Sequence, residues 1–148
     1  MRANVKRLRE HQNLGYIQLS RELDEVGRSI PDLGLRRIEA GDRRVDVDDL
    51  MALAVALGVS PATLLMPAVH SVGPQDHVES TAVTFPILAR QLWGWLTARR
   101  PLGRQNLFSF AEQSWPGWVQ EELTAQVTAA RKALDERVGG EEALSGDD

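Results

Sequence analysis

The chain has 148 residues, with 17 Lys or Arg against 21 Asp or Glu for a formal net charge of −4, and it has no cysteine. A chain of this length holds one ordinary domain, or a head of about 65 residues with an equally small companion, which excludes a large catalytic domain. Without cysteine there is neither a disulfide framework nor a thiolate metal site, and a net negative chain suits nucleic acid only where its cations gather on one face.

In chain order, Val5 and Leu8 recur at helical spacing with charges between them, which predicts a first helix from about Ala3 to Gln12. This charged, helical start is unlike a secretory leader, and a cytoplasmic setting is expected. Asn13-Leu14-Gly15 ends the helix. A second runs from Tyr16 to about Val26 with Leu19, Leu23 and Val26 on one stripe, and Gly27 suits the left-handed position after it. Ser29-Ile30-Pro31 opens a third helix, whose Leu35 and Ile38 face the core and whose end is marked by Glu39-Ala40-Gly41. Asp46 precedes a fourth helix as N-cap, with acids in its first turn and Leu50, Leu53, Ala54 and Leu57 as its apolar face. Gly58 closes it, and Ser60-Pro61 starts a short fifth helix before Pro67.

Residues 67–81 carry Gly, Pro, Ser, His and Asp without a sustained period and are read as a linker or surface loop. The composition then changes: Trp93, Trp95, Trp115 and Trp118 are all the tryptophans of the chain. Ala82 to Ala98 contains Arg90, Gln91 and Gly94 and falls short of the roughly 20 residues of a membrane span, so a core helix over about 86–100 is expected. Pro101-Leu102-Gly103 breaks that run. Pro116 opens a last helix to about Val138, with Val119, Leu123, Val127, Ala130, Leu134 and Val138 recurring every three or four residues. Residues 139–148 are acidic and Gly-rich and are expected to be a disordered tail.

Residues 1–67 contain ten Arg or Lys and ten Asp or Glu, so this half is neutral. Its cations are nevertheless grouped, Arg2, Lys6, Arg7 and Arg9 in one set and Arg36, Arg37, Arg43 and Arg44 in another. The second and third helices offer what a groove-reading helix needs, a brace of Leu19, Leu23, Ile30, Leu35 and Ile38 and a small residue, Ser20, at the crossing. Three blocks in order, Leu14-Gly15-Tyr16-Ile17-Gln18-Leu19-Ser20, Leu35-Arg36-Arg37-Ile38-Glu39-Ala40-Gly41 and Leu50…Leu53-Ala54…Leu57-Gly58-Val59-Ser60-Pro61, resemble the Xre-type, Cro/lambda-repressor-like helix-turn-helix family over residues 4–66.

The resemblance implies a five-helix DNA-binding domain over 1–66; with the linker over 67–81, the small helical region over 82–138 and the tail read from composition and period, an all-α protein is expected. It also implies the DNA contacts. The start of the second helix holds a phosphate in that family, which places Tyr16 and Gln18 at DNA, with a tyrosine where a glutamine is usual. The base-reading positions fall on Asp32, Leu33 and Arg37; a guanidinium can bond guanine O6 and N7 together, a carboxylate accepts only from cytosine N4, and leucine reads only a thymine methyl. Gly34 is expected to let the backbone approach DNA, and Arg36, Arg43 and Arg44 to hold phosphates. Between Leu23 and Ile30 the chain is about five residues longer than short members of the family, and the added loop brings Arg28 within reach of the DNA backbone.

No enzyme is expected. The chain has only Lys6 and Lys132 to activate a serine, and no Gly-rich phosphate loop, His-Glu-x-x-His or Gly-x-Ser-x-Gly motif. His11, His70 and His77 lack paired metal-ligand spacing, and no cofactor or metal is expected. The partners expected are double-stranded DNA and a second copy, joined through Val119, Leu123, Val127 and Leu134 to match paired half-sites. An alternative makes residues 82–138 a module that binds a protein or small-molecule effector through the tryptophans, as in an autoregulating antitoxin.

Overall fold

The computed structural model describes the backbone of residues 1–67, 71–81 and 83–144, and side chains as far as residue 133. His70, the last residues of the acidic tail and the Leu134 side chain lie outside what is described. Among the described residues the protein is mostly helical, with eight helices and one two-stranded ladder. It forms two compact units, Met1–Thr97 and Ala98–Asp148.

The first unit begins with the five short helices expected from the sequence: α1 (Arg2–His11), α2 (Tyr16–Glu25), α3 (Asp32–Ala40), α4 (Val47–Ala56) and α5 (Pro61–Leu65). Their starts follow from local chemistry. The Asp46 carboxylate accepts the Asp49 amide and caps α4, while Ser60 Oγ accepts the Thr63 amide and caps α5, with Pro61 in its first turn. Gly41 ends α3 at φ 92°, a left-handed conformation that suits glycine. One core joins the five helices: Val5, Leu19, Leu23, Ile30, Leu35, Leu53 and Leu64 are fully buried, with Ile38 and Leu57 at 1 % exposure. All five side chains of the expected brace, Leu19, Leu23, Ile30, Leu35 and Ile38, belong to it.

A polar peg anchors α1 to α5. Asn4, 3 % exposed, donates its amide to the carbonyls of Thr63, Leu64 and Met66 at 3.2, 3.0 and 2.5 Å, which satisfies oxygens that α5 is too short to bond internally.

Two strands, β1 (His77–Val78) and β2 (Ile87–Leu88), pair antiparallel with His77 opposite Leu88, and α6 (Ala89–Leu96) follows directly. β1 lies within the stretch read as a linker, and β2 lies at the start of the run read as helix. Two-residue strands carry too little alternation to register as a period. Asp76 fixes the turn before β1 by accepting the Gly73 amide on its carboxylate and the Ala89 amide on its carbonyl. Val78, Ile87, Ala89 and Leu92 are buried here, outside the five-helix core.

The second unit holds α7 (Leu107–Ser114) and α8 (Gly117–Leu144). α7 is capped by Asn106, whose side chain accepts the Ser109 amide; the sequence reading identified no helix there. Trp115 Nε1 donates to the Ala98 carbonyl, and Gln120 donates back to the Trp115 carbonyl, which ties the start of α8 to the beginning of this unit. α8 continues to Leu144, into the acidic stretch.

The Asn4 peg sets a test. Asn4→Ala leaves three carbonyls at the end of α5 without their donor and should destabilise the head by roughly 1–3 kcal/mol, read as a lower urea midpoint at unchanged slope.

Candidate nucleic-acid interface

The α2–α3 pair is closed by Ser20, whose hydroxyl donates to the Ile30 carbonyl at 2.8 Å. A larger side chain there would hold the two segments apart. With Leu35 and Ile38 turned into the core, α3 presents Leu33 at 54 % exposure, Arg36, whose side chain is 57 % exposed, and an exposed Arg37. Asp32 sits in the first turn and pairs with Arg36 one turn on, at 3.9 Å. Arg44 lies exposed in the loop after α3. Neither Arg37 nor Arg44 makes an ion pair among the described residues.

Behind this face is a buried node. Arg9 of α1 donates Nε and Nη2 to the two oxygens of Glu39 at 2.7 and 3.0 Å, and its Nη1 to the Leu14 carbonyl at 3.1 Å. The Arg9 and Glu39 side chains are only 9 % and 4 % exposed. Such a forked pair orients both partners as well as neutralising them. The Tyr16 hydroxyl donates to the same Glu39 carboxylate at 2.9 Å. The phenol is therefore engaged inside the head, whereas the family position implied a phosphate contact. Its ring serves as a platform: the guanidinium carbons of Arg9 and Arg36 stand over it at 4.1 and 4.2 Å, an arrangement that favours cations. Arg36 is thus held by Tyr16 and Asp32. Gln18 accepts the Gly15 amide at 2.7 Å and leaves its side-chain N–H groups without a partner among the described residues.

Three other expected contacts have a different surrounding. Arg28 donates Nε to Asp49 at 2.9 Å and Nη2 to Asp46 at 2.8 Å, while Arg43 donates Nη2 to the other Asp49 oxygen at 2.9 Å. The open side of Gly34 faces this group rather than a free surface: a Cβ there would stand 2.8 Å from Arg43 Nη1 and 3.1 Å from Ile30 Cγ2. The absence of a side chain at Gly34 makes room for Arg43. The Asp46 carboxyl is held below its ordinary range, first by the Asp49 amide and then by the charge of Arg28.

Sequence reasoning found the exposed arginines but missed the acids that hold the others. Asp49 looked like a first-turn acid of α4, yet its side chain is 1 % exposed. Glu39 looked like part of a helix stop. The available signal was position: Asp49 precedes the buried Leu53 by one turn, and Glu39 follows the buried Leu35 by one turn.

A helix-turn-helix with a rigid back and an uncovered cationic helix face defines a class of DNA-binding head. Residues 5–64 match the helix-turn-helix family model, and this head is a helix-turn-helix domain of the Xre/lambda-repressor-like type. That match supports a DNA-binding transcriptional regulator of this type. No curated protein and no solved structure matches the chain. No helix among the described residues is long and apolar enough to cross a membrane.

The node also sets a pH dependence. Burial pushes the Glu39 carboxyl up, but the hydrogen bonds from Arg9 and Tyr16 and the Arg9 charge together outweigh it and leave the group below its ordinary 4.5. A depressed carboxyl contributes stability that is present above its unfolded value and lost as pH falls through its folded one. Glu39→Gln should cost about 1.5–3 kcal/mol at neutral pH. Its deficit against wild type should shrink as the pH is lowered below about 4.5, measured by urea denaturation of both proteins across that range.

Proposed function

We propose that the protein is a repressor that reads the major groove with α3 and binds its operator as a homodimer in the cytoplasm. The observation that carries this reading is the outward face of α3. Leu33, Arg36 and Arg37 are uncovered on a helix whose opposite face, Leu35 and Ile38, is almost fully buried. Such a helix offers side chains to base edges without rearranging. Arg37, with no ion pair among the described residues, reads guanine; Leu33 meets a thymine methyl; Asp32 stands at the remaining base-facing position, beside Arg36. Arg36, poised on Tyr16, and Arg44 hold phosphates. The first-turn amides of α2, which lack a side-chain acceptor at the Gly15 cap, and the Gln18 amide complete the backbone contacts.

We infer that the homodimer contact is on α8. Leu123 and Val127 are 45 % and 60 % exposed one turn apart, and Val119 continues the stripe half-buried. Leu134 falls on the same stripe by sequence. A dimer matches the symmetry of paired half-sites and multiplies weak contacts. A second reading makes the region from Ala98 onward a docking module for an effector or partner protein. It is favoured by Phe108 and Trp118, 83 % and 63 % exposed, since large uncovered aromatics are what binding sites use as anchors. Trp93 and Trp95 belong to the first unit.

Arg37→Ala should weaken a preferred site by about 1–3 kcal/mol and leave non-specific binding nearly unchanged. Competition titration against unrelated duplex measures this, and an equal loss on every sequence would make Arg37 a phosphate contact. Leu123→Asp combined with Val127→Asp would place unpaired charge in an α8 interface, which is strongly unfavourable. Sedimentation should then show a monomer whose head stays helical; a variant that remains dimeric moves the interface elsewhere, and a wild type that is monomeric favours the docking reading.

A further inference from the structure

Arg28 and Arg43 stand in the two loops that flank α3, where a helix-turn-helix head would use cations on phosphates, yet both forks are turned inward. Each Asp49 oxygen accepts from one of them, Oδ1 from Arg28 and Oδ2 from Arg43, both at 2.9 Å. Asp46 takes the second nitrogen of Arg28 at 2.8 Å while its other oxygen caps α4. Two guanidiniums meet two carboxylates, so the cluster carries no net charge. The arginine side chains are 38 % and 33 % exposed, whereas Asp49 is 1 % exposed. The arginines could swing outward; the carboxylate cannot follow, and leaving it buried without a partner is strongly unfavourable.

We propose that Asp49, assisted by Asp46, is a specificity-determining residue that withholds Arg28 and Arg43 from the DNA phosphates. This inference rests on the DNA-binding reading of the head. Non-specific binding is almost wholly a count of neutralised phosphates, and each contact steepens the dependence of log affinity on log salt by about 0.9. Two cations held inside the protein are two contacts that unrelated DNA does not obtain. Specific binding depends on α3 being held in one orientation, and the same cluster ties both loops flanking α3 to the first turn of α4. Releasing it strengthens binding to any DNA and loosens the reading helix, and both effects lower discrimination.

The test uses the full chain with Asp46→Asn and Asp49→Asn together. Asparagine keeps the α4 cap and the side-chain shape while removing both charges. Asp42→Asn with Asp48→Asn is the charge-matched control, because these acids are exposed and outside every ion pair among the described residues. Binding to an unrelated duplex and to a preferred duplex is titrated by fluorescence anisotropy from 50 to 200 mM salt. The cluster variant should bind unrelated DNA more tightly, with a slope steeper by about two, which is about a further tenfold loss across that salt range. Its ratio of preferred to unrelated affinity should fall, while the control changes its slope by much less than one. A cluster variant that behaves like the control, or that keeps the wild-type slope, overturns the inference. Arg43→Gln leaves Arg28 on Asp49 and gives an independent readout should the double variant not fold: the wild-type slope should persist, and a slope shallower by about one would show that Arg43 already holds a phosphate and overturn the proposal. Failure of the folded wild type to bind any duplex at 50 mM salt would remove the DNA-binding reading itself, an outcome distinct from binding with an unaltered slope.

Discussion

The forked ion pair between Arg9 and Glu39 is the interaction on which the DNA-binding head most depends. It joins the end of α1 to the last turn of α3, and through the Tyr16 hydroxyl it also fixes the start of α2. Three helices therefore share one carboxylate. An apolar core of leucines and isoleucines favours burial but tolerates small rotations of one helix against another. A forked guanidinium–carboxylate contact has a narrow geometry, so it sets the angle at which α3 is presented. Asn4 does the same for α5 with three carbonyls, and Asp49 does it for the two loops on either side of α3.

These contacts explain how a head with equal numbers of acidic and basic residues can present a cationic surface. Glu39 and Asp49 are spent inside the structure, each against arginine. Of the acids outside any ion pair among the described residues, Glu22, Asp24 and Glu25 lie in the second half of α2, Asp42 in the loop after α3 and Asp48 in the first turn of α4, whereas Arg37 and Arg44 lie on α3 and just after it. Net charge is a poor guide to such a surface. What governs attraction to a polyanion is the charge left uncompensated on the face that meets it.

The five-helix head was readable from sequence because several of its boundaries have a local chemical cause and its first three helices each carry an apolar stripe. Asp46, Ser60-Pro61 and Gly41 act as cap, start and stop through contacts within a single turn, and Leu19, Leu23, Leu35 and Ile38 keep one face. The partners of the arginines were not readable. Arg9 meets Glu39 across 30 positions and Arg28 meets Asp49 across 21, and nothing in a linear pattern distinguishes a cation aimed at solvent from one aimed at a buried acid. Tyr16 illustrates the same limit: its place at the start of α2 was evident, but the direction of its hydroxyl depends on the far end of α3. The β1–β2 ladder and α7 were missed for the opposite reason, since two-residue strands and an eight-residue helix offer too few positions for a period to emerge.

The central claim is that α3 and its flanking elements form the DNA contact surface. Backbone amide chemical shifts of the full chain, followed while a duplex recovered by selection of bound fragments is added, test it most directly. The account predicts the largest changes at Gly15 to Gln18, Asp32 to Arg37 and Arg44, with the amides of Val5, Leu53 and Leu64 in the core little altered. Changes concentrated on α7 and α8, with α3 unaffected, would contradict it.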